Sequence, residues 1–175
     1  MTVNRGRPAT LNAQQILAAA IQCADSEGIG GITMRAVANR LGVTPMALYR
    51  YVRDKGQLLD QIPDILMFEV AQATTRQGSG VLALSEIGFG LANTLAARPW
   101  ATRLFEQPKL GPNMQLAAEH CVALLVAEGA SPDEAFRWIR AVIAQVIGEM
   151  LTSHGPFDRS GIDLLLAAIG RASRA

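Results

Sequence analysis

Between Thr33 and Lys55 the chain gathers side chains suited to meeting a polyanion: Thr33, Arg35, Thr44, Tyr49, Arg50, Tyr51 and Lys55, with Arg53 reading as a solvated charge. Guanidinium and ammonium groups bring charge, and hydroxyls and phenols donate the single hydrogen bonds that phosphate oxygens accept. Upstream, Arg5 and Arg7 bracket Gly6 ahead of Pro8. Residues 1–55 carry seven Lys/Arg against three Asp/Glu, a net of +4, while the remaining 120 residues carry nine against twelve, a net of −3. The whole chain sits at +1, so the asymmetry points to an anionic partner for the N-terminal part alone. Double-stranded DNA is the first candidate; a charged face that merely keeps the domain soluble is the other.

Other chemistries find little support. His120 and Cys121 are adjacent, which on a helix turns them about 100° apart and away from a shared metal. Neither histidine has a partner at metal-ligand spacing, and no Gly-rich phosphate loop or nucleophile elbow occurs. No enzyme activity and no cofactor are expected. Two cysteines, Cys23 and Cys121, do not make a disulfide framework. With no apolar leader and no run approaching about 18 uncharged apolar residues, a cytoplasmic protein without a membrane segment is the expectation.

The elements that must position these groups are helices throughout. Apolar residues make up 50% of the 175 and aromatics 5%, with Ala and Leu prominent and no alternating strand pattern. A first helix is predicted over 13–27, with Asn12 and Gln15 as its capping box. Thr33 caps a second, Thr44 and Pro45 open a third, and Asp54 with Gln57 starts a fourth that contains Pro63 and is expected to kink or break there. After a loop at 76–80, further helices are expected over 81–97, 99–106, 112–128, 132–153 and 161–173.

The segment 33–51 has a particular geometry written into it. Two helices that meet through a tight turn need a small residue at their contact, here Ala38, and a residue tolerant of positive φ at the corner, here Gly42. Val37, Leu41, Val43 and Leu48 fill the wedge between them. This is a helix-turn-helix, and its third helix suits a major groove.

From Leu11 to Leu59 the chain resembles the DNA-binding domain of the tetracycline-repressor (TetR) family, most specifically in Leu48-Tyr49-Arg50-Tyr51 and the lysine at Lys55. The resemblance implies a homodimeric repressor that releases its operator when a ligand binds the C-terminal domain. It places Tyr49, Tyr51 and Lys55 at phosphate-contact positions and Arg35 at a position that reads or approaches bases. Arg50 departs from the bulky aromatic often found there and could reach base or phosphate. Thr44, Pro45, Met46 and Ala47 would face base edges, Met46 or Ala47 against a thymine methyl. For the tyrosines the bland alternative is ring packing with a solvated hydroxyl, and for Arg35 a salt bridge. Arg5-Gly6-Arg7-Pro8 resembles the core of an AT-hook, which would enter a narrow minor groove; a basic tail is the other reading.

The expected architecture is all-α: an N-terminal three-helix helix-turn-helix domain (1–55) with a basic arm, plus a C-terminal helical ligand-binding and dimerisation domain (56–175). The helix at 132–153 is apolar nearly all round, and with the last helix it would form a four-helix bundle with a second copy. Phe89, Asn93, Trp100, Phe105, Met114, His120, Trp138 and Gln145 are candidates to line a pocket for a small hydrophobic effector, although such residues could equally be core. His154 and Met150 are further candidates of the same kind. The rival readings are a DNA-binding activator or architectural protein without an effector, and an all-α small-molecule-binding protein.

Overall fold

The computed structural model describes residues 11–73, 78–153 and 156–172. Among them there are helices and no strand. The order is α1 (Ala13–Glu27), a 3₁₀ turn (Ile29–Gly31), α2 (Met34–Leu41), α3 (Pro45–Leu48), α4 (Lys55–Ala73) and α5 (Gly80–Ala97). A 3₁₀ stretch (Pro99–Phe105), α6 (Pro112–Ala127), α7 (Pro132–Thr152) and α8 (Ser160–Ala172) follow. The all-α class is as the sequence implies. The chain divides into two compact units between Leu59 and Asp60.

In the first unit α1 starts at the Asn12–Gln15 capping box, with the Gln15 N–H donating to Asn12 Oδ1 at 2.8 Å and the Asn12 N–H to Gln15 Oε1 at 3.1 Å. The α1 stripe of Ile16, Leu17, Ala20, Ile21 and Ala24 is buried and packs on α2. Ile32, Val37, Ala38, Leu48, Val52 and Leu58 complete this small core. A fully buried Leu or Ile contributes about 1.5–3 kcal/mol, so a handful of such residues is what holds three short helices together.

The second unit is built around α5, which packs against α6, α7 and α8. Its Leu84, Ile87, Leu91 and Leu95 are buried. This 18-residue helix is long and apolar enough to cross a membrane by length and composition, although Glu86 interrupts it with a charge. Its buried face against the other helices explains that apolarity as core packing. Two expectations change. The helix at 99–106 is a 3₁₀ stretch, where Ala101 N–H reaches the Arg98 carbonyl three residues back. Of the kink or break expected at Pro63, the break does not occur, since α4 runs on through it.

Candidate nucleic-acid interface and ligand cavity

The first unit builds a surface from the α2–α3 corner. Thr33 caps α2 by accepting the Ala36 N–H at 3.0 Å. At its other end Gly42 adopts a left-handed conformation, φ 67 and ψ 29. The Gly42 N–H then meets the Asn39 carbonyl and the Val43 N–H the Ala38 carbonyl, at 3.2 and 3.0 Å. That pair of bonds is a Schellman close, which ends α2 and sets the chain's direction into α3. Thr44 occupies the N-cap of α3 as expected, and its side chain accepts no capping bond. Pro45 follows at the first helical position, and buried Leu48 and Val52 anchor the segment from beneath.

With those anchors inward, the polar and apolar groups of the corner face solvent. Thr33, Arg35, Thr44, Pro45, Met46, Tyr49, Arg50 and Tyr51 are exposed, and Ala47 and Lys55 are half-buried. Met46 is 73% exposed and Tyr49 49%, values that leave the phenol ring half free of any packing role. Among the described residues Arg35 makes no ion pair. Lys55 already has a structural bond, its Nζ donating to the Ile29 carbonyl at 3.3 Å. Arg40 points elsewhere, bonding to Gln22 and Ser26 of α1. Arg5 and Arg7 lie outside the described residues.

The second unit holds a cavity of about 170 Å³ between α4, α5 and α6, lined by Phe68, Ala71, Gln72, Ile87, Asn113, Leu116, Ala117 and His120. His120 Nε2 is buried and has no hydrogen-bond partner among the described residues. Of the eight pocket residues expected from the sequence, His120 lines this cavity and the other seven lie elsewhere. Phe89 lies under the Arg159 guanidinium, 3.9 Å from ring centroid to Cζ. Phe105 and Met114 are buried core, Asn93 is exposed, and Trp100, Trp138 and Gln145 are half-buried away from it. His154 is outside the described residues. The lining that sequence reading missed has a helical signature: Phe68, Ala71 and Gln72 share one face of α4, and Asn113, Leu116, Ala117 and His120 one face of α6. The neighbouring Cys121 faces away into the core, and burial, followed by the charge of Glu128, pushes its thiol up to about 12. Such a thiol stays protonated and unreactive. Among the described residues no cluster of three His, Cys, Asp or Glu could hold a metal.

Comparison with known proteins bears on both units. The family described as bacterial regulatory proteins, tetR family, matches residues 16–62, from α1 into α4. The HTH-type transcriptional repressor DrrR1 of Streptomyces coeruleorubidus is 32% identical over 147 residues, covering 83% of this chain. Residues 16–62 belong to the tetR family. The chain spans 54% of the length of DrrR1. Two solved structures carry the TetR-family likeness beyond the matched segment. One is a TetR variant from Acinetobacter baumannii AYE in complex with minocycline, at 24% identity and a TM-score of 0.72, covering 94% of this chain and 93% of that one. The other is ActR from Streptomyces coelicolor in complex with (S)-DNPA, at 22% identity and a TM-score of 0.71, covering 94% and 88%. At those identities the likeness is one of fold, and it covers the unit that contains the cavity.

Proposed function

We propose that this chain is a ligand-responsive transcriptional repressor that binds a palindromic DNA operator as a homodimer and is released by a small-molecule effector. The observation that carries this reading is the α2–α3 corner, where Met46, Tyr49, Arg50 and Tyr51 stand in solvent on a turn held by Gly42. A helix-turn-helix presented this way offers apolar and cationic contacts to base edges and phenols to flanking phosphates. Tyr49, Tyr51, Lys55 and Arg50 are assigned to phosphate, Arg35 to a guanine edge, and Thr44 to Ala47 to the groove floor. Arg5 and Arg7 are assigned to the adjacent minor groove.

Dimerisation follows from what α7 and α8 leave uncovered. Ile139, Val142 and Val146 are buried within the unit, while Phe136, Leu151 and Leu164 are exposed, Leu164 at 73%. A second copy placed on these helices would cover them and give the two-fold symmetry that a palindromic site demands. The effector is assigned to the cavity on α4, α5 and α6, whose walls are mostly apolar. A protein with this role would work in the cytoplasm.

The deciding experiment measures binding of the full chain to labelled intergenic DNA next to its own gene, against a scrambled fragment of equal length. The expected result is two chains per site and a preference of at least about a thousandfold at physiological salt. Equal affinity for both fragments would overturn the reading.

A further inference from the structure

We propose that the cavity between α4, α5 and α6 takes a neutral, single-ring ligand with one hydroxyl group, a simple phenol whose hydroxyl bonds to His120 Nε2. This assignment rests on the reading of the second unit as the effector-binding part and names the chemistry of that site. Size comes first. A cavity of about 170 Å³ is close to the roughly 150 Å³ of an engineered apolar cavity that binds benzene. It is well below the roughly 300 Å³ at which pockets for drug-sized ligands begin. One ring fills it.

The walls set the polarity. Phe68, Ala71, Ile87, Leu116 and Ala117 are apolar, and no Lys or Arg joins them. A carboxylate brought into such surroundings would lose its hydration without a fixed cation to replace it. A ligand held here is therefore neutral. Phe68 and Leu116, 45% and 65% exposed, also place apolar surface where the cavity meets solvent, and the Phe68 ring can pack against an aromatic guest.

Gln72, Asn113 and His120 are the polar side chains of the wall; Gln72 is exposed to solvent, and of the other two one calls for a partner. Asn113 is already engaged, its Nδ2 donating to Asp64 Oδ2 at 2.8 Å. His120 Nε2 is buried without one among the described residues, and an unmet buried nitrogen is costly. A hydroxyl both donates and accepts, so it pairs with that nitrogen whether or not the nitrogen carries a proton. A ligand lacking it would leave the nitrogen unmet.

Isothermal titration of the full chain with p-cresol, toluene and 4-methylbenzoate tests this, because the three differ in their polar group alone. Expected are p-cresol about tenfold tighter than toluene and 4-methylbenzoate weaker than p-cresol by at least as much. His120→Leu should erase the preference of p-cresol over toluene while toluene still binds. Ala117→Phe, which fills the cavity, should weaken all binding. The chain has two histidines, so ¹⁵N-histidine spectra of the wild type read the contact directly even if His120→Leu does not fold. The His120 Nε2 resonance should move on adding p-cresol and stay still with toluene. Equal affinities for p-cresol and toluene, tightest binding of 4-methylbenzoate, an unmoved resonance at saturation, or a preference that survives His120→Leu would each overturn the assignment. If p-cresol binds through His120 and leaves operator affinity unchanged, the effector reading fails and the cavity's chemistry stands. If another compound releases the operator while p-cresol does not bind, the reverse holds.

Discussion

The carboxylate of Asp64 on α4 caps α6 by accepting the Met114 backbone N–H at 2.8 Å. Its second oxygen takes the Asn113 side-chain amide at 2.8 Å and the Asn113 N–H at 3.4 Å. The first turn of α6 has no side-chain cap of its own, since Gly111 stands at the N-cap. A buried carboxylate, 7% exposed, thus satisfies backbone donors that would otherwise be orphaned at a helix start, where the helix dipole also favours negative charge. The lining of the cavity alternates with this clasp: Asp64 and Phe68 lie one turn apart on α4, and Asn113, Leu116 and Ala117 follow on α6.

Asp64→Ala should therefore lower stability by about 2–3 kcal/mol, because it strands the Met114 N–H and the Asn113 amide in a buried setting. Gly111→Ala attacks the same contact from the other side. A Cβ there would lie 2.2 Å from Asp64 Cγ, and its φ of −96 carries no backbone penalty, so the cost is crowding of about 1–3 kcal/mol. In the double variant the carboxylate that the added methyl group would strike is gone, so the two losses should sum to less than their separate values in urea denaturation. Full additivity would mean that the clasp is not what either change disturbs.

Gly42 is expected to behave differently, since a Cβ there meets nothing within 4 Å. Its φ of 67 alone sets the cost. Gly42→Ala should destabilise the first unit by about 1 kcal/mol, Gly42→Asn by less, and Gly42→Val by more. Both tyrosines of the chain, Tyr49 and Tyr51, lie in this unit, and both tryptophans, Trp100 and Trp138, in the other. Tyrosine and tryptophan signals then report the two units separately, and a loss seen in the tryptophan transition alone would contradict the strain account.

Tyr49 and Lys55 should separate under substitution. The Tyr49 ring is half exposed and Phe keeps it, so Tyr49→Phe should leave the melting temperature unchanged while weakening operator binding about tenfold per dimer, as two phenol–phosphate bonds are lost. Lys55→Ala removes a charge from each protomer and should flatten the dependence of log affinity on log salt by about 2 per dimer. It also deletes the bond to the Ile29 carbonyl, so a modest loss of stability accompanies it. Tyr49→Phe with full affinity would return that side chain to the role of a solvated ring.

Local chemistry made the first unit readable from sequence. The Asn12–Gln15 box, the Thr33 cap and the glycine corner at Gly42 each act over three or four residues, and each appears where its residue type demands. Thr44 shows the limit of that logic, for it sits at the N-cap with its hydroxyl unused by the helix. The cavity was not readable in the same way. Aromatic residues and Met do not announce which face of a helix meets which neighbour, so Phe105 and Met114 proved to be core, while Ala71 and Ala117 form walls because their smallness leaves space. Asp64 gave no signal either, since its partners at Asn113 and Met114 stand 49 and 50 positions away. The apolar run of α5 is ambiguous by composition alone: a helix packed against three others and a membrane helix share it.

The start of α7 supplies a pH-dependent prediction. The Glu134 carboxylate accepts from Ser131 Oγ at 2.7 Å and from the Ser131 N–H at 2.9 Å, and Ser131 Oγ in turn accepts the Glu134 N–H at 3.3 Å. The side-chain bond from Ser131 and then the backbone bond hold its pKa below the ordinary 4.5 against the opposing effect of burial, with the charge of Arg137 adding least. Below 4.5 the unfolded chain takes up this proton more readily than the folded one, so the box stabilises fully above that pH and its contribution falls as pH drops through the depressed value. Ser131→Ala removes the largest of those bonds, along with a neutral cap to the Glu134 N–H that does not titrate. The gap in melting temperature between wild type and Ser131→Ala should therefore be widest and flat from about pH 5 to 7, then narrow toward about pH 3 without closing. A gap that stays constant across that range, or widens in acid, would show that the Glu134 charge has no part in starting the helix.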